Sequence, residues 1–272
     1  MQHPESPTMS ELAMLPAVPA SLPGPPPALR LRDVDVERGR SLVLRDIDLD
    51  VPQGGITGLI GINGAGKTSL IKAILGLAGI ARGHVEIFGE PASARSMRDA
   101  IAYLPEQFRP AAALRGAAYV RLMRGFDSGR DGGRSGDALA IAAALDLDPA
   151  ALARPIRTFS KGMAQKLGLA VTLAGPARLL VLDEPMSGLD PRARALLKTC
   201  LIRARAQGRS LLLCSHILAD LDELADHVAI VHGGRLLAAG PLDSIRGRHA
   251  TLERAFLATI GDGGVLPDPR AG

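Results

Sequence analysis

The chain has 272 residues, of which 47% are hydrophobic and 22% charged, so it can bury a core and is not a wholly disordered protein. Two cysteines, Cys200 and Cys214, exclude a disulfide framework, and no apolar run of about 18 residues predicts a transmembrane helix. A net charge of only +4 is weak evidence for nucleic acid binding, and an aromatic content of 3% argues against base-stacking platforms, so no nucleic acid partner is expected.

The N-terminal extension, residues 1–28, is expected to be disordered. Prolines recur between Pro16 and Pro27 and interrupt any helix or strand. The apolar stretch Leu12–Leu22 lacks a basic flank and is broken by proline, which is not typical of a signal peptide. A polyproline docking segment is the alternative interpretation.

Regular structure is predicted from Leu29 onward. Residues 29–36 alternate in the manner of a strand, and residues 47–51 alternate apolar with acidic side chains. Ile56–Ile60 is a short apolar run that leads into glycines. Ser69–Leu77 is predicted to be a helix, and Val85–Phe88 another strand.

Residues from about 105 to 158 are rich in alanine and leucine, and Ala138–Leu147 is a good helix former, which predicts a helical insertion. Beyond it, Arg178–Leu182 and Ser210–Cys214 are predicted buried parallel strands separated by a helix, Pro191–Gln207.

The C-terminal part is predicted to contain a hairpin, in which Gly233-Gly234 joins Val228–Val231 to Arg235–Ala238. A last helix is predicted at Thr251–Ile260, with a flexible tail over residues 261–272. Strands that alternate with helices, and that are themselves apolar, indicate an α/β fold with a mostly parallel sheet.

A phosphate-binding loop is predicted between the strand Ile56–Ile60 and the helix that follows. The run Gly61, Ile62, Asn63, Gly64, Ala65, Gly66, Lys67, Thr68 fits the P-loop pattern in full. Its glycines allow backbone N–H groups to converge on phosphate oxygens, and the helix directs its positive end at the same anion. Lys67 is expected to pair with the β- and γ-phosphates, and Thr68 to bind Mg²⁺. A glycine-rich turn with an incidental Lys-Thr is the alternative.

Two carboxylates, Asp183 and Glu184, follow the apolar run Leu179–Leu182. Ligands of α/β sheets bind at the carboxyl ends of strands, so Asp183 is expected to hold Mg²⁺ and Glu184 to act as general base toward water. Two solvated loop acids or helix caps are the alternative.

Three more segments complete the pattern: Phe159-Ser160-Lys161-Gly162-Met163, Ser187-Gly188-Leu189-Asp190 and Ser215-His216. The order of all these motifs resembles the nucleotide-binding subunit of ATP-binding cassette (ABC) transporters. The resemblance covers residues 29–260. It implies an α/β P-loop cassette with a mostly parallel core sheet, an N-terminal antiparallel β subdomain and the helical insertion.

The resemblance also implies the cofactors ATP and Mg²⁺ and the residues that would bind them. Two subunits, expected to be identical, would pair head to tail, and each ATP would lie between one P-loop and the other subunit's segment around Ser160. The implied ATP contacts are Gly61, Ile62, Asn63, Gly64, Ala65, Gly66, Lys67, Thr68, Ser69, Ser160, Gly162, Met163 and Asp190. The implied catalytic residues are Lys67, Glu184 and His216. The implied metal-side residues are Thr68, Asp183, and Gln107 or Glu106.

The chain departs from the family pattern in three places. Arg38 stands where an aromatic residue usually stacks on adenine, and its guanidinium could also stack. Tyr103-Leu104-Pro105 is followed by Glu106 and then Gln107, and either could serve the metal. The signature reads Ser-Lys-Gly-Met, which resembles the multidrug, sodium or copper-processing exporter group.

The function expected from this resemblance is an ATPase that powers transport through a separate integral membrane permease. The groove around Leu104–Leu114 is expected to receive that permease. The subunit would then lie in the cytoplasm, peripheral on the cytoplasmic face of a bacterial inner membrane. A soluble ABC ATPase of DNA repair or translation is the alternative.

Overall fold

The computed structural model describes residues 25–39, 41–93, 95, 99–127 and 136–261. The predictions of a disordered extension and a flexible tail therefore fall largely on residues outside these ranges.

Strands and helices alternate over most of the chain. The strands are β1 (Leu29–Arg38), β2 (Ser41–Val51), β3 (Ile56–Ile60), β4 (Ile80–Ile87), β5 (Glu90–Pro91), β6 (Ile101–Leu104), β7 (Leu179–Asp183), β8 (Ser210–Cys214), β9 (His227–His232) and β10 (Arg235–Pro241). The α-helices are α1 (Lys67–Ile74), α2 (Gly116–Asp127), α3 (Gly136–Ala144), α4 (Lys161–Ala174), α5 (Pro191–Ala206), α6 (Leu218–Leu224), α7 (Leu242–Arg246) and α8 (Leu252–Gly261).

The strands form two sheets. The first is antiparallel, in the order β2-β1-β4-β5, and the second has the order β10-β9-β3-β8-β7-β6. In the second sheet β9, β3, β8, β7 and β6 are mutually parallel, and β10 joins β9 as an antiparallel hairpin. The carboxyl ends of five parallel strands therefore meet along one edge, where α/β proteins bind ligands.

Helix α1 lies between the two sheets. Its apolar residues, such as Leu70 and Ile74, pack with one face of the parallel sheet and with the inner face of the antiparallel sheet. The other face of the parallel sheet is covered by α5, α6 and α8. The central strands are apolar throughout because both of their faces are buried.

Two β-bulges adjust the antiparallel sheet to this packing. Simple alternation along β1 fails at Asp33, whose φ of 51° shifts the register so that Leu31 and Val34 face the same core. Asp46 does the same in β2 with a φ of 54°. The N–H of Asp33 donates to Asp48 Oδ1 at 3.0 Å, which stabilises the bulge.

The predicted insertion is helical in its described part, which contains α2, α3 and two short 3₁₀ turns, Pro149–Ala153 and Ile156–Thr158. Its core includes Leu167 and Ala170 of α4, whereas Leu169 and Leu173 of the same helix pack against the parallel sheet. Helix α4 therefore joins the insertion to the parallel sheet, with its N-terminus at Lys161.

The prediction of an α/β fold with a mostly parallel sheet is confirmed. Strand β8 has the predicted bounds, and α5 ends one residue before the predicted end. Strand β6 and helix α6 were not predicted. Among the described residues, no helix combines the length and hydropathy needed to cross a bilayer.

Candidate functional site

The phosphate-binding loop is shaped by two close approaches. Gly61 follows the buried strand β3, and a Cβ there would collide with the carbonyl oxygen of Val231 on β9. Gly66 has a φ of 115°, and a Cβ would lie 2.6 Å from Leu44 Cδ2. Only glycine fits both positions, so packing against β9 and β2 fixes the path of the loop.

The end of this loop is suited to bind an anion. Helix α1 begins after Gly66 with no side-chain cap and no acidic residue in its first turn. Lys67 Nζ donates to the carbonyl oxygens of Gly61, at 2.6 Å, and Ile62, at 3.2 Å. An ammonium that donates to neutral carbonyls, beside a positive helix end, favours a bound phosphate.

A cavity of about 620 Å³ opens in front of the loop. Its lining residues are Arg38, Val43, Asn63, Gly64, Ala65, Gly66, Lys67, Thr68, Ser69, Glu106, Asp183, Glu184, His216, Gly233 and Gly234. Five of the contributing segments directly follow the parallel strands β3, β6, β7, β8 and β9. The sheet topology therefore assembles the cavity from residues far apart in sequence.

Asp183, the last residue of β7, is 6% exposed and faces this cavity. Burial, together with the negative charges of Glu106 and Glu184, raises its pKa to about 6, and the positive charge of Lys67 opposes this rise. A buried carboxylate close to other acids is stabilised in its ionised form by a cation that neutralises the negative charge.

The oxygen atoms of Thr68 and Asp183, which line the same cavity, suit Mg²⁺. Within the described ranges, no group of three or more His, Cys, Asp or Glu residues could hold a metal by itself. Mg²⁺ is commonly bound through one or two carboxylates together with substrate phosphates and water.

Glu184 lies beside His216. The carboxylate Oε2 is 2.7 Å from the imidazole Nδ1. The side chain of Glu184 is 11% exposed and that of His216 is 62% exposed. The backbone of Glu184 has a φ of 50°, and its N–H donates to the carbonyl of Cys214 at 3.0 Å. A hydrogen bond to the neighbouring strand end therefore helps to hold the backbone of Glu184 in a conformation that L-residues rarely adopt.

The sequence leaves open whether Glu106 or Gln107 is the metal-side residue, and the two residues differ in position. Glu106 lines the cavity, whereas Gln107 is absent from its described lining and accepts a hydrogen bond from Arg109 Nη2 at 2.9 Å. The geometry thus favours Glu106 as the metal-side residue.

Arg38 lines the cavity together with Val43, at the end formed by the β9–β10 turn. The sequence did not identify Val43, Gly233 or Gly234 as site residues. The Gly234 N–H donates to the carbonyl of Ala65 at 3.0 Å, which joins the turn to the phosphate loop. Paired glycines next to a strand are the available signal, and by themselves they predict only a hairpin turn.

Two of the predicted ATP contacts, Gly61 and Ile62, belong to the phosphate loop but are not among the described residues that line this cavity. Four others, Ser160, Gly162, Met163 and Asp190, are not among them either. Ser160 Oγ caps α4 by accepting the Met163 N–H at 3.2 Å. Asp190 caps α5 by accepting the Ala193 N–H at 2.8 Å, and this bond lowers the pKa of Asp190. Within one chain, these residues therefore form a second group, separate from the phosphate loop.

Comparisons with known proteins agree with this geometry. The sequence profile described as "ABC transporter" matches residues 44–187, more than half of the chain. The chain is 33% identical over 234 residues to the Nod factor export ATP-binding protein I of Cupriavidus pinatubonensis, and the match covers 82% of this chain and 70% of that protein.

An uncharacterized ABC transporter ATP-binding protein of Synechocystis sp. is 34% identical over 208 residues, or 75% of this chain and 58% of the relative. The chain thus spans about three fifths of that relative's length. A solved structure titled "Structure of ATP binding subunit of ABC transporter" superposes with a TM-score of 0.80 at 30% identity, covering 86% of this chain and 99% of the other. The chain therefore belongs to the ABC transporter family.

Proposed function

We propose that this chain is the ATP-hydrolysing subunit of an ABC transporter and that it powers export through a separate membrane permease. The proposal depends on one observation above all: the cavity places Lys67, Asp183 and the Glu184–His216 pair around a single uncapped helix end. A cation, a metal-binding carboxylate and a base are the groups that phosphoryl transfer to water requires.

In this proposal the triphosphate of ATP binds at the N-terminus of α1. Lys67 leaves the carbonyls of Gly61 and Ile62 and pairs with the β- and γ-phosphates. Thr68, Asp183 and Glu106 would hold Mg²⁺, which would neutralise negative charge on the triphosphate. The adenine ring lies toward Arg38 and the β9–β10 turn.

Hydrolysis then requires a water molecule in line with the γ-phosphorus. Glu184 accepts a proton from this water as the new P–O bond forms and the bond to the β-phosphate oxygen breaks, which releases ADP and phosphate. His216 holds Oε2 of Glu184 and fixes the direction of its carboxylate. The buried backbone contacts of Glu184 limit its freedom and so favour one productive orientation.

The separate group of Ser160, Gly162, Met163 and Asp190 supports a head-to-tail pair of chains. The N–H groups at the start of α4 would meet the γ-phosphate of the ATP bound to the second copy. Closure would therefore require nucleotide, and hydrolysis would reopen the pair.

Transport and its direction rest on the comparisons and on the signature. One relative is named for Nod factor export, and the Ser160-Lys161-Gly162-Met163 signature resembles exporter subunits. The permease would hold this subunit on the cytoplasmic face of the membrane.

The test is a co-purification from native membranes solubilised in mild detergent, with a C-terminal tag on the chain. We expect a polytopic membrane protein in stoichiometric amount, and Glu184→Gln protein should bring down the same partner. Recovery of ribosomes, DNA or only cytosolic proteins would contradict the transport role. ATPase assays on the same material would show separately whether the chain hydrolyses ATP.

A further inference from the structure

Helix α4 contains a buried glutamine whose side-chain amide donates a hydrogen bond to another segment. Gln165 is 3% exposed, and its Nε2 donates to the carbonyl oxygen of Pro185 at 3.2 Å. A buried amide without a partner costs free energy, so this acceptor explains why a polar residue stands here. Pro185 directly follows the acidic pair of the candidate site.

Lys161, one helical turn before Gln165, contacts the same segment from the solvent-exposed side. Its Nζ donates to Ser187 Oγ at 2.9 Å. Its aliphatic stem covers Gly188, where an added Cβ would lie 3.1 Å from Lys161 Cγ and Cδ. Gly162 also approaches this segment, because a Cβ on Gly162 would lie 2.7 Å from the carbonyl oxygen of Gly188.

The segment held in this way is the turn Pro185–Gly188, and it closes back on Glu184. The N–H of Ser187 donates to the carbonyl of Glu184 at 3.0 Å, and the N–H of Leu189 donates to that of Met186 at 3.2 Å. Glu184 itself has a φ of 50° and depends on its surroundings to keep that conformation. The contacts from α4 are therefore part of those surroundings.

We propose that Lys161 and Gln165 are positioning residues that hold the turn Pro185–Gly188, and through it Glu184, against the first turn of α4. This inference rests on the proposed function, in which Glu184 is the general base. The first turn of α4 is also the segment proposed to meet the ATP of the second copy. One rigid unit then links the nucleotide at that site to the carboxylate of this one.

The first test compares steady-state kinetics of the full chain with ATP. Lys161→Met keeps the stem and removes the bond to Ser187, so we expect kcat to fall about fivefold with KM unchanged. Ser187→Ala should have a similar effect, and the double variant should be no worse than either single one, since both remove the same bond. Lys161→Arg, which can still donate, should restore kcat.

Lys166→Met is the matched control. Lys166 lies on the same helix, but its Nζ donates to the carbonyl of Asp146 at 2.9 Å rather than to the turn. We expect it to keep wild-type kcat. Gln165→Leu, which leaves the Pro185 carbonyl without its donor, should lower kcat more than Lys161→Met does. Equal kcat for Lys161→Met and the wild type, or additive losses in the double variant, would overturn the proposal.

Hydrogen exchange separates this inference from the proposed function. In nucleotide-free protein, Lys161→Met should speed exchange of the Ser187 and Leu189 amides about tenfold, and Lys166→Met should not. Unchanged exchange in Lys161→Met would remove the positioning role. A wild-type chain that exchanges as expected but does not hydrolyse ATP would instead contradict the proposed function alone.

Discussion

Glu184 Oε2 lies 2.7 Å from His216 Nδ1, so the carboxylate proposed as general base already has a fixed partner before nucleotide binds. The other carboxylate oxygen of Glu184 can then approach a water molecule. The carboxylate is largely buried, whereas the imidazole is exposed. His216 is therefore expected to orient Glu184.

Glu184→Gln should lower ATP turnover at least about a hundredfold, because an amide cannot accept the proton of the attacking water. ATP binding should persist, and the nucleotide-bound pair of chains should accumulate. Turnover and size-exclusion chromatography with ATP measure the two effects. His216→Ala should reduce turnover while leaving Glu184 able to act as a base. Ordinary hydrolysis by Glu184→Gln would remove Glu184 as the base.

Lys67→Ala should lose most of its ATP affinity. The ammonium is already held within hydrogen-bonding distance of two loop carbonyls, and no other lysine lines the cavity among the described residues. Titration with a fluorescent ATP analogue measures the loss. Lys72→Ala is the matched control, because Lys72 lies on the exposed side of the same helix. Equal affinity in Lys67→Ala and the wild type would contradict the phosphate-loop assignment.

The phosphate loop and the acidic pair could be predicted from sequence because each is a continuous run beside an apolar strand. Such runs are Ile56–Ile60 and Leu179–Leu182. Because ligands of α/β sheets bind at the carboxyl ends of strands, the residues that follow these runs are expected at the site. The strand order could not be predicted in the same way. It depends on side chains that pack across long sequence separations, such as Leu44 against Gly66.

Some residues that line the cavity could not be predicted from the sequence for the same reason. Val43 and Gly234 carry no chemical signature, and only the packing of the hairpin on the loop brings them to the site. The bulges at Asp33 and Asp46 were also missed, because simple alternation has no means to signal a residue of positive φ.

Asp183→Asn should stabilise the nucleotide-free protein at pH 7.5. Burial and neighbouring acids raise the pKa of Asp183 from 3.8 to about 6. A raised pKa favours the fold when the group is protonated, so this contribution is present below pH 4 and is lost as the pH rises toward 6. Asparagine removes the penalty of the ionised form, by at most about 3 kcal/mol.

Chemical unfolding at pH 4 and pH 7.5, without divalent cations, measures this difference. We expect the gain of Asp183→Asn only at the higher pH. Asp190→Asn is the control of opposite sign, because a hydrogen bond from the Ala193 N–H lowers the pKa of Asp190. It should give no gain at pH 7.5. Destabilisation of Asp183→Asn at pH 7.5 would show that the carboxylate is better satisfied than its burial indicates.

Glu106→Ala should raise the Mg²⁺ concentration needed for half-maximal turnover, because Glu106 faces the cavity and Asp183. Gln107→Ala should leave that concentration unchanged, because Gln107 bonds to Arg109 outside the described lining. A Mg²⁺ titration of both variants decides between the two residues. The reverse result would assign the metal side to Gln107.

Arg38→Ala should weaken ATP binding about threefold to tenfold, because its planar guanidinium lines the cavity at the end proposed to hold adenine. Arg38→Tyr should restore or improve the affinity, since an aromatic ring stacks on adenine in the same place. Affinity for inorganic triphosphate, which has no base, should be equal in all three proteins. If Arg38→Ala instead weakened triphosphate as much as ATP, Arg38 would act on the phosphates by charge, and adenine would be held by the apolar wall at Val43.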